Sequence, residues 1–273
     1  MIENKILIPV DFTTAADKAV EFGIFLAKSS HFNISLLHVF EDDGPSLDAC
    51  ENKLREMAEK INVTEDIFCD YHCEKGNIFT LIPDIASKSA FRMMVIATHG
   101  RKGLRQKFFG PDILKLLKQI PIPSLVVQEN SIVPEDGFKS VIFPVGGHDE
   151  YDKKVEAMVF MAGLFDPEIH LYSISKPGFE QTAKLRDNIS LAEARFAKKG
   201  IRYKRVAEDQ SVFSVGFAKQ TLLYADKSGA DLITVMANPT RENYYFADSD
   251  KEALLTNDTG IPVLCVSNAE VEI

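Results

Sequence analysis

The sequence runs through one pattern twice, and this repeat constrains the fold more than any other feature. KILIPV at Lys5 to Val10 returns as SVIFPV at Ser140 to Val145, displaced by 135 residues. LLHV at Leu36 to Val39 returns as LYSI at Leu171 to Ile174 with the same displacement. IPSLVV at Ile122 to Val127 returns as IPVLCV at Ile261 to Val266, displaced by 139. Three matches in order describe one long unit copied once, not a solenoid, whose periods are roughly 20–50 residues. The 273 residues suit two domains at a prior of about 150 residues each. Gln128 to Gly137 is polar and punctuated by Pro134 and Gly137, as a linker would be. The expected domains are residues 1–130 and 138–273.

Within the first copy, short apolar runs alternate with helical stretches. Ile6 to Val10, Ile34 to Phe40, Ile67 to Cys73, Met93 to Ala97 and Ser124 to Val127 read as strands. Thr14 to Asp17 resembles a capping box and opens the first helix. Further helices are expected over Leu47 to Ile61, Ile78 to Ser89, and Pro111 to Lys118, the last with proline at its first position. Near-continuous apolar strands alternating with helices indicate a parallel sheet covered on both faces. The expected fold class is α/β, as two tandem doubly wound domains. Each would carry a five-stranded, mainly parallel sheet of order 3-2-1-4-5 flanked by helices.

Composition excludes several functions. The net charge is −9, which argues against diffuse attraction to nucleic acid or an anionic membrane. No apolar run approaches the ~20 residues of a membrane span. The first residues lack a basic start and a small-residue cleavage site, so a cytoplasmic protein is expected. Cys69 and Cys73 lie four residues apart on one expected strand, roughly 13 Å, too far to share a zinc ion.

Ligands of such sheets sit beyond the carboxyl ends of the strands, where strand order reverses. Asp11 follows strand one, and Ala97 to Gly103 follows strand four and leads to Gly110 at a helix start. Glycines entering a helix let backbone N–H groups meet an anion. At these residues the chain resembles the universal stress protein family, over essentially its whole length as two tandem copies. The family's nucleotide motif is Gly, two residues, Gly, nine residues, Gly, then Ser or Thr. Here it reads Ala97, two residues, Gly100, nine residues, Gly110, Pro111. The resemblance implies a stress-response regulator that binds an adenine nucleotide, ATP, in the N-terminal domain. It places Val10, Asp11, Val39, Ala97, Gly100, Gly110, Pro111 and Asp112 around the cofactor. No metal is implied beyond one accompanying the nucleotide.

The departures have physical content. Pro111 lacks an N–H and the family's hydroxyl. Asp112 is expected in the first helical turn, where it would occupy the positive end of the dipole and repel phosphate. Arg101, Lys102, Arg105 and Lys107 either neutralise a polyphosphate or face water. In the second copy Gly146 replaces Asp11, Met236 to Pro239 replaces Ala97 to Gly100, and Ser249 replaces Gly110. The motif is lost there, and Tyr244, Tyr245 and Phe246 either plug the vacant pocket or contact a partner.

The alternative function is a nucleotide-free tandem scaffold acting through its surfaces. An enzymatic reading finds no catalytic residue, because no evident general base is present even for slow ATP hydrolysis. A phosphotransfer receiver is excluded: Lys75 and Gly76 follow strand three and Gln128 follows strand five, where an aspartate and a lysine are needed. The resemblance also implies domain pairing through the fifth strands, whose short apolar edges need cover, and a homodimer of whole chains.

Overall fold

The computed structural model describes residues 4–40, 46–98, 112–173, 181–207, 216–240 and 247–270. The first half runs β1 (Lys5–Pro9), α1 (Thr14–Ser30), β2 (Asn33–Phe40), α2 (Leu47–Glu65), β3 (Cys69–Lys75), α3 (Ile78–Ala86), β4 (Phe91–Thr98), α4 (Ile113–Leu117), β5 (Ser124–Gln128). The second runs β6 (Ser140–Val145), α5 (Tyr151–Phe165), β7 (Glu168–Ser173), α6 (Ala183–Lys199), β8 (Tyr203–Ala207), α7 (Phe217–Ser228), β9 (Leu232–Met236), α8 (Asp248–Leu255), β10 (Val263–Val266).

Two separate five-stranded sheets were expected, and here the structure corrects the sequence reading. There is one ten-stranded sheet, ordered β3-β2-β1-β4-β5-β10-β9-β6-β7-β8. Each half keeps the order 3-2-1-4-5, and neighbours within a half are parallel. The halves merge because β5 and β10 are apolar edges with open rows of backbone donors and acceptors. They satisfy one another as an antiparallel pair, with Val126 opposite Val263, Leu125 opposite Leu264 and Ser124 opposite Cys265. Leu125 and Leu264 are counterparts in the repeat, so the ladder is centred on a pseudo-two-fold axis. The remaining sheet edges are β3 and β8.

Alternation along the strands feeds two cores. Ile6, Ile8 and Val10 pack with α1, α2, α5 and α6, while Leu7 packs on the other face with α3, α4, α7 and α8. Both faces are buried, which is why the strands read as continuous apolar runs.

Local boundaries shift for identifiable reasons. The cap of α1 is Thr13 rather than Thr14, its hydroxyl accepting from Ala16 N at 3.3 Å. β3 starts at Cys69, two residues later than expected, because α2 continues to Glu65 and ends with Asp66 left-handed at φ 55. The Asn62 amide then pins the new start by bonding both N–H and C=O of Cys69. Helix α4 begins at Ile113, with Asp112 at its N-cap instead of inside the first turn. No helix among the described residues is long and apolar enough to cross a membrane.

Candidate functional site

In the first half β1 is flanked by β2 on one side and β4 on the other, so strand order reverses at β1. The carboxyl ends of these strands bring Val10, Asp11, Val39 and Ala97 to one edge of the sheet. Val10, Val39 and Ala97 are buried, and Asp11 is half-buried. The Asp11 carboxylate turns back on its own chain, with Oδ1 accepting from Thr13 N at 3.1 Å and from Thr13 Oγ1 at 2.6 Å. This is an Asx-type turn, and it leaves Oδ2 outside these two bonds. Phe12, between them, sits in the left-handed region at φ 60. For a bulky residue that is a strained backbone, of order 1–2 kcal/mol.

The strain has a visible purpose in packing. Phe12 lies against the buried His38 ring, centroids 4.4 Å apart, with Lys53 Nζ 5.0 Å from the Phe12 ring centroid. His38 Nδ1 stands 2.7 Å from the Val10 carbonyl oxygen. Burial holds His38 below its ordinary value, only partly offset by that bond and by Asp11. A neutral ring whose Nδ1–H donates to Val10 fits this environment. Sequence reading missed His38, because a histidine inside an apolar strand carries no motif.

The other expected site residues fare differently. Asp112 is exposed and, although it stands at the N-cap of α4, makes no side-chain capping bond. Thr98, inside the motif, is fully buried and its hydroxyl donates to the Leu255 carbonyl at 3.2 Å. That hydroxyl belongs to the junction between the halves. Gly100, Gly110 and Pro111 lie outside the described residues, as do Arg101, Lys102, Arg105 and Lys107. Between Pro9, Val10, Asp11, Leu37, Val39, Ile78 and Ile82 a space of about 10 Å³ remains, roughly one water's worth.

Residues 3–128 match the family model of the universal stress proteins. The first half is a universal stress protein domain. Solved structures extend the fold to the second half. A universal stress protein from Archaeoglobus fulgidus superimposes with a TM-score of 0.70 at 18% identity, covering 98% of this chain and 98% of its own. A putative universal stress protein from Pseudomonas aeruginosa gives 0.61 at 14% identity, covering 97% and 93%. The cytoplasmic domain of a prokaryotic cation chloride cotransporter gives 0.54 at 12% identity, covering 96% and 95%. The sequence has no match among curated proteins.

The second half of this tandem fills its own crevice in a way the sequence reading missed. Tyr244, Tyr245 and Phe246, the expected plug, lie outside the described residues. Among the described ones, Pro144, His148, Lys154, Phe217, Thr234, Met236 and Lys251 close on one another. Lys154 Nζ donates to the Pro144 carbonyl at 2.6 Å and lies 4.4 Å from the Phe143 ring centroid. Lys251 Nζ donates to the carbonyls of Ala237 at 3.2 Å and Asn238 at 2.5 Å. Burial pushes Lys154 well below the ordinary lysine range and Lys251 down to about 8. The signal was present in the sequence: Lys154 lies four and seven residues before Met158 and Met161, on the buried stripe of α5.

His148, in the same crevice, is pushed down to about 2 by burial first, then by Lys154 and Lys251. Its folded value lies below the unfolded one of 6.5, so the neutral ring stabilises the fold fully above that pH. The contribution is lost as pH falls below 6.5. Taking the wild type from pH 7.5 to 5 is expected to remove about 2 kcal/mol through His148 alone. Urea unfolding across that window checks it, with His148→Gln expected to flatten the slope. An unchanged slope in the variant would assign the acid loss elsewhere.

Proposed function

We propose that the chain is a stress-response regulator that binds an adenine nucleotide, ATP, in the first crevice, its two domains (1–130 and 138–273) working as a paired unit. The observation that carries this reading is the Asp11 carboxylate. It is half-buried at the carboxyl edge of β1, inside the domain that matches the family, beside the apolar walls of Val10, Val39, Ile78 and Ile82. An apolar slot closed at one end by a fixed carboxylate suits a flat base with a ribose whose hydroxyls donate. Gly100 and Gly110, at the family's spacing, would supply amides to the phosphates, and Ala97 replaces the motif's first glycine with the smallest side chain available.

A second reading, the nucleotide-free scaffold, draws on the closed state of this slot. A space the size of one water admits a base only if Ile78, Ile82 or their helix α3 move. The pairing of β5 with β10 leaves β3 and β8 as edges for a partner, including a second copy of the chain.

Calorimetric titration of ATP separates the readings. Binding is expected in the wild type, and Asp11→Ala is expected to weaken it about tenfold, the loss of one charge-assisted hydrogen bond. No heat at millimolar ATP would favour the scaffold. Binding untouched by Asp11→Ala would keep the function but move the site.

A further inference from the structure

The tandem repeats an aromatic cage as well as a fold, and among the described residues only one of the two cages is filled. In the repeat, Lys18, Glu21 and Phe25 on α1 correspond to Lys153, Glu156 and Phe160 on α5. Phe25 stacks at 5.1 Å on Phe165, the last residue of α5, and Phe160 stacks at 5.8 Å on Phe32, just beyond the end of α1. Each pair thus joins one helix to the far end of the other. Phe138, almost wholly buried, packs edge-on against both rings of the first pair. Beside the second pair lies a groove of about 780 Å³, lined by Phe32, Pro123, Ala157 and Phe160. That volume falls within the roughly 300–1,000 Å³ of ligand sites.

Two sequence differences separate the cages. Phe138 corresponds in the repeat to Glu3, which brings no ring, and the fully buried Phe22 of α1 corresponds to Ala157 on α5. Charge differs as well. Arg92 gives its Nε–H to Asn4 Oδ1 at 2.8 Å, and among the described residues its terminal nitrogens have no partner, nor has the Glu270 carboxylate on the same lining. The other two charges there are engaged, Lys153 with the Asn268 and Ala269 carbonyls at 3.0 and 3.2 Å and Glu156 with Arg195 at 3.5 Å. Pro123 leads into β5 and Val266 ends β10, so the groove lies at the rim of the ladder between the halves. An occupant there continues an interface that the fold already has.

We propose that this groove docks an extended segment of a partner protein, an aromatic residue seated against Phe160 and Phe32 with an acidic and a basic residue flanking it to meet Arg92 and Glu270. The filler of the first cage shows the kind of chain that fits. Residues 134–139 read Pro-Glu-Asp-Gly-Phe-Lys, a ring with acids on one side and a base on the other. An aromatic anchor in an apolar seat, ringed by polar contacts, is the usual anatomy of a protein interface. The groove stands at the amino ends of β4 and β5, the opposite edge of the sheet from the nucleotide crevice. It is therefore independent of the nucleotide reading.

The test uses the full chain and, as probe, a fluorophore-labelled synthetic peptide of residues 132–140, titrated by fluorescence anisotropy. Saturable binding is expected, weakened about tenfold or more by Phe138→Ala in the peptide. Ala157→Phe in the protein gives α5 the ring that α1 has, fills the groove, and is expected to weaken binding by a similar factor. Arg92→Glu, an exposed change that leaves the core alone, is expected to weaken it severalfold, and less so at high salt. No saturation at millimolar peptide overturns the proposal, as does binding indifferent to the peptide's phenylalanine. Binding unchanged by both protein variants also overturns it, since the peptide would then sit elsewhere, the Phe138 cage included. If the peptide binds only after residues 1–3 or 271–273 are removed, the chain covers the groove itself and the proposal falls. None of these results touches ATP binding in the first half.

Discussion

A chain carrying Leu264→Asp is expected to lose about 5 kcal/mol or more, because removing a buried leucine and burying an unpaired carboxylate act together. Leu264 is 1% exposed and stands opposite Leu125, itself wholly buried, at the centre of the ladder between β5 and β10. The damage reaches both halves. Thr98 Oγ1 and Gln128 Nε2 both donate to the Leu255 carbonyl, and Ser267 Oγ donates to the Ile120 carbonyl, so three further cross-half bonds depend on the same register. Urea unfolding should show a sharply lowered midpoint. Leu223→Asp, on the exposed side of α7 at 50% exposure, should cost less than about 0.5 kcal/mol. If Leu264→Asp lost no more than that control, the ladder would contribute nothing to stability, and the halves would be independent bodies.

How the halves meet was only partly legible in the sequence, and the reason is physical. Parallel strands with both faces covered leave a strong local signal, and the strand order within each half follows from it. Whether two such sheets join is decided by their edges. An edge strand's sequence says that it needs cover and leaves open what provides it. Ser124 to Val127 and Pro262 to Val266 read alike as short apolar runs; the family resemblance, not the residues themselves, pointed to their pairing, and the register shows each covering the other.

The candidate site divides along the same line. Asp11, Val10, Val39 and Ala97 were readable because each follows or ends a strand, and the structure brings them to one edge of the sheet. The structure adds that the Asp11 carboxylate bonds Thr13, two residues on. Asp112 was misplaced by two positions, since helix starts are set by cap geometry that a proline before an aspartate leaves ambiguous. His38, Lys154 and Lys251 were missed for a different reason. His38 and Lys154 are polar residues inside an apolar pattern and Lys251 sits in a charged run, and the role of each depends on which carbonyls the fold places within reach.

The segment between the copies shows the same limit, and it leads to the second large effect. Polar and proline-bearing, residues 128–137 read as a linker, yet Gln128 and Ser131 within it are almost wholly buried, as is Phe138 directly after it. Gly137 turns the chain at φ +83 and delivers Phe138 edge-on to Phe25 at 5.8 Å and to Phe165 at 5.4 Å, one ring from each half. Phe25 and Phe165 stack on each other at 5.1 Å, so Phe138 completes a three-ring cluster that joins the two halves. Phe138→Ala is expected to cost about 3–5 kcal/mol through lost burial and the cavity left behind. Phe138→Leu keeps most of the bulk and forfeits two edge-on ring contacts, for a loss of about 1–3 kcal/mol. Urea unfolding ranks the two, and limited proteolysis supplies an independent readout, since Lys139 should become a trypsin site in Phe138→Ala well before the rest of the chain is cut. If instead Phe138→Ala unfolds at the wild-type midpoint and resists trypsin equally, the segment is a passive tether and the two halves are held by the β5–β10 ladder without it.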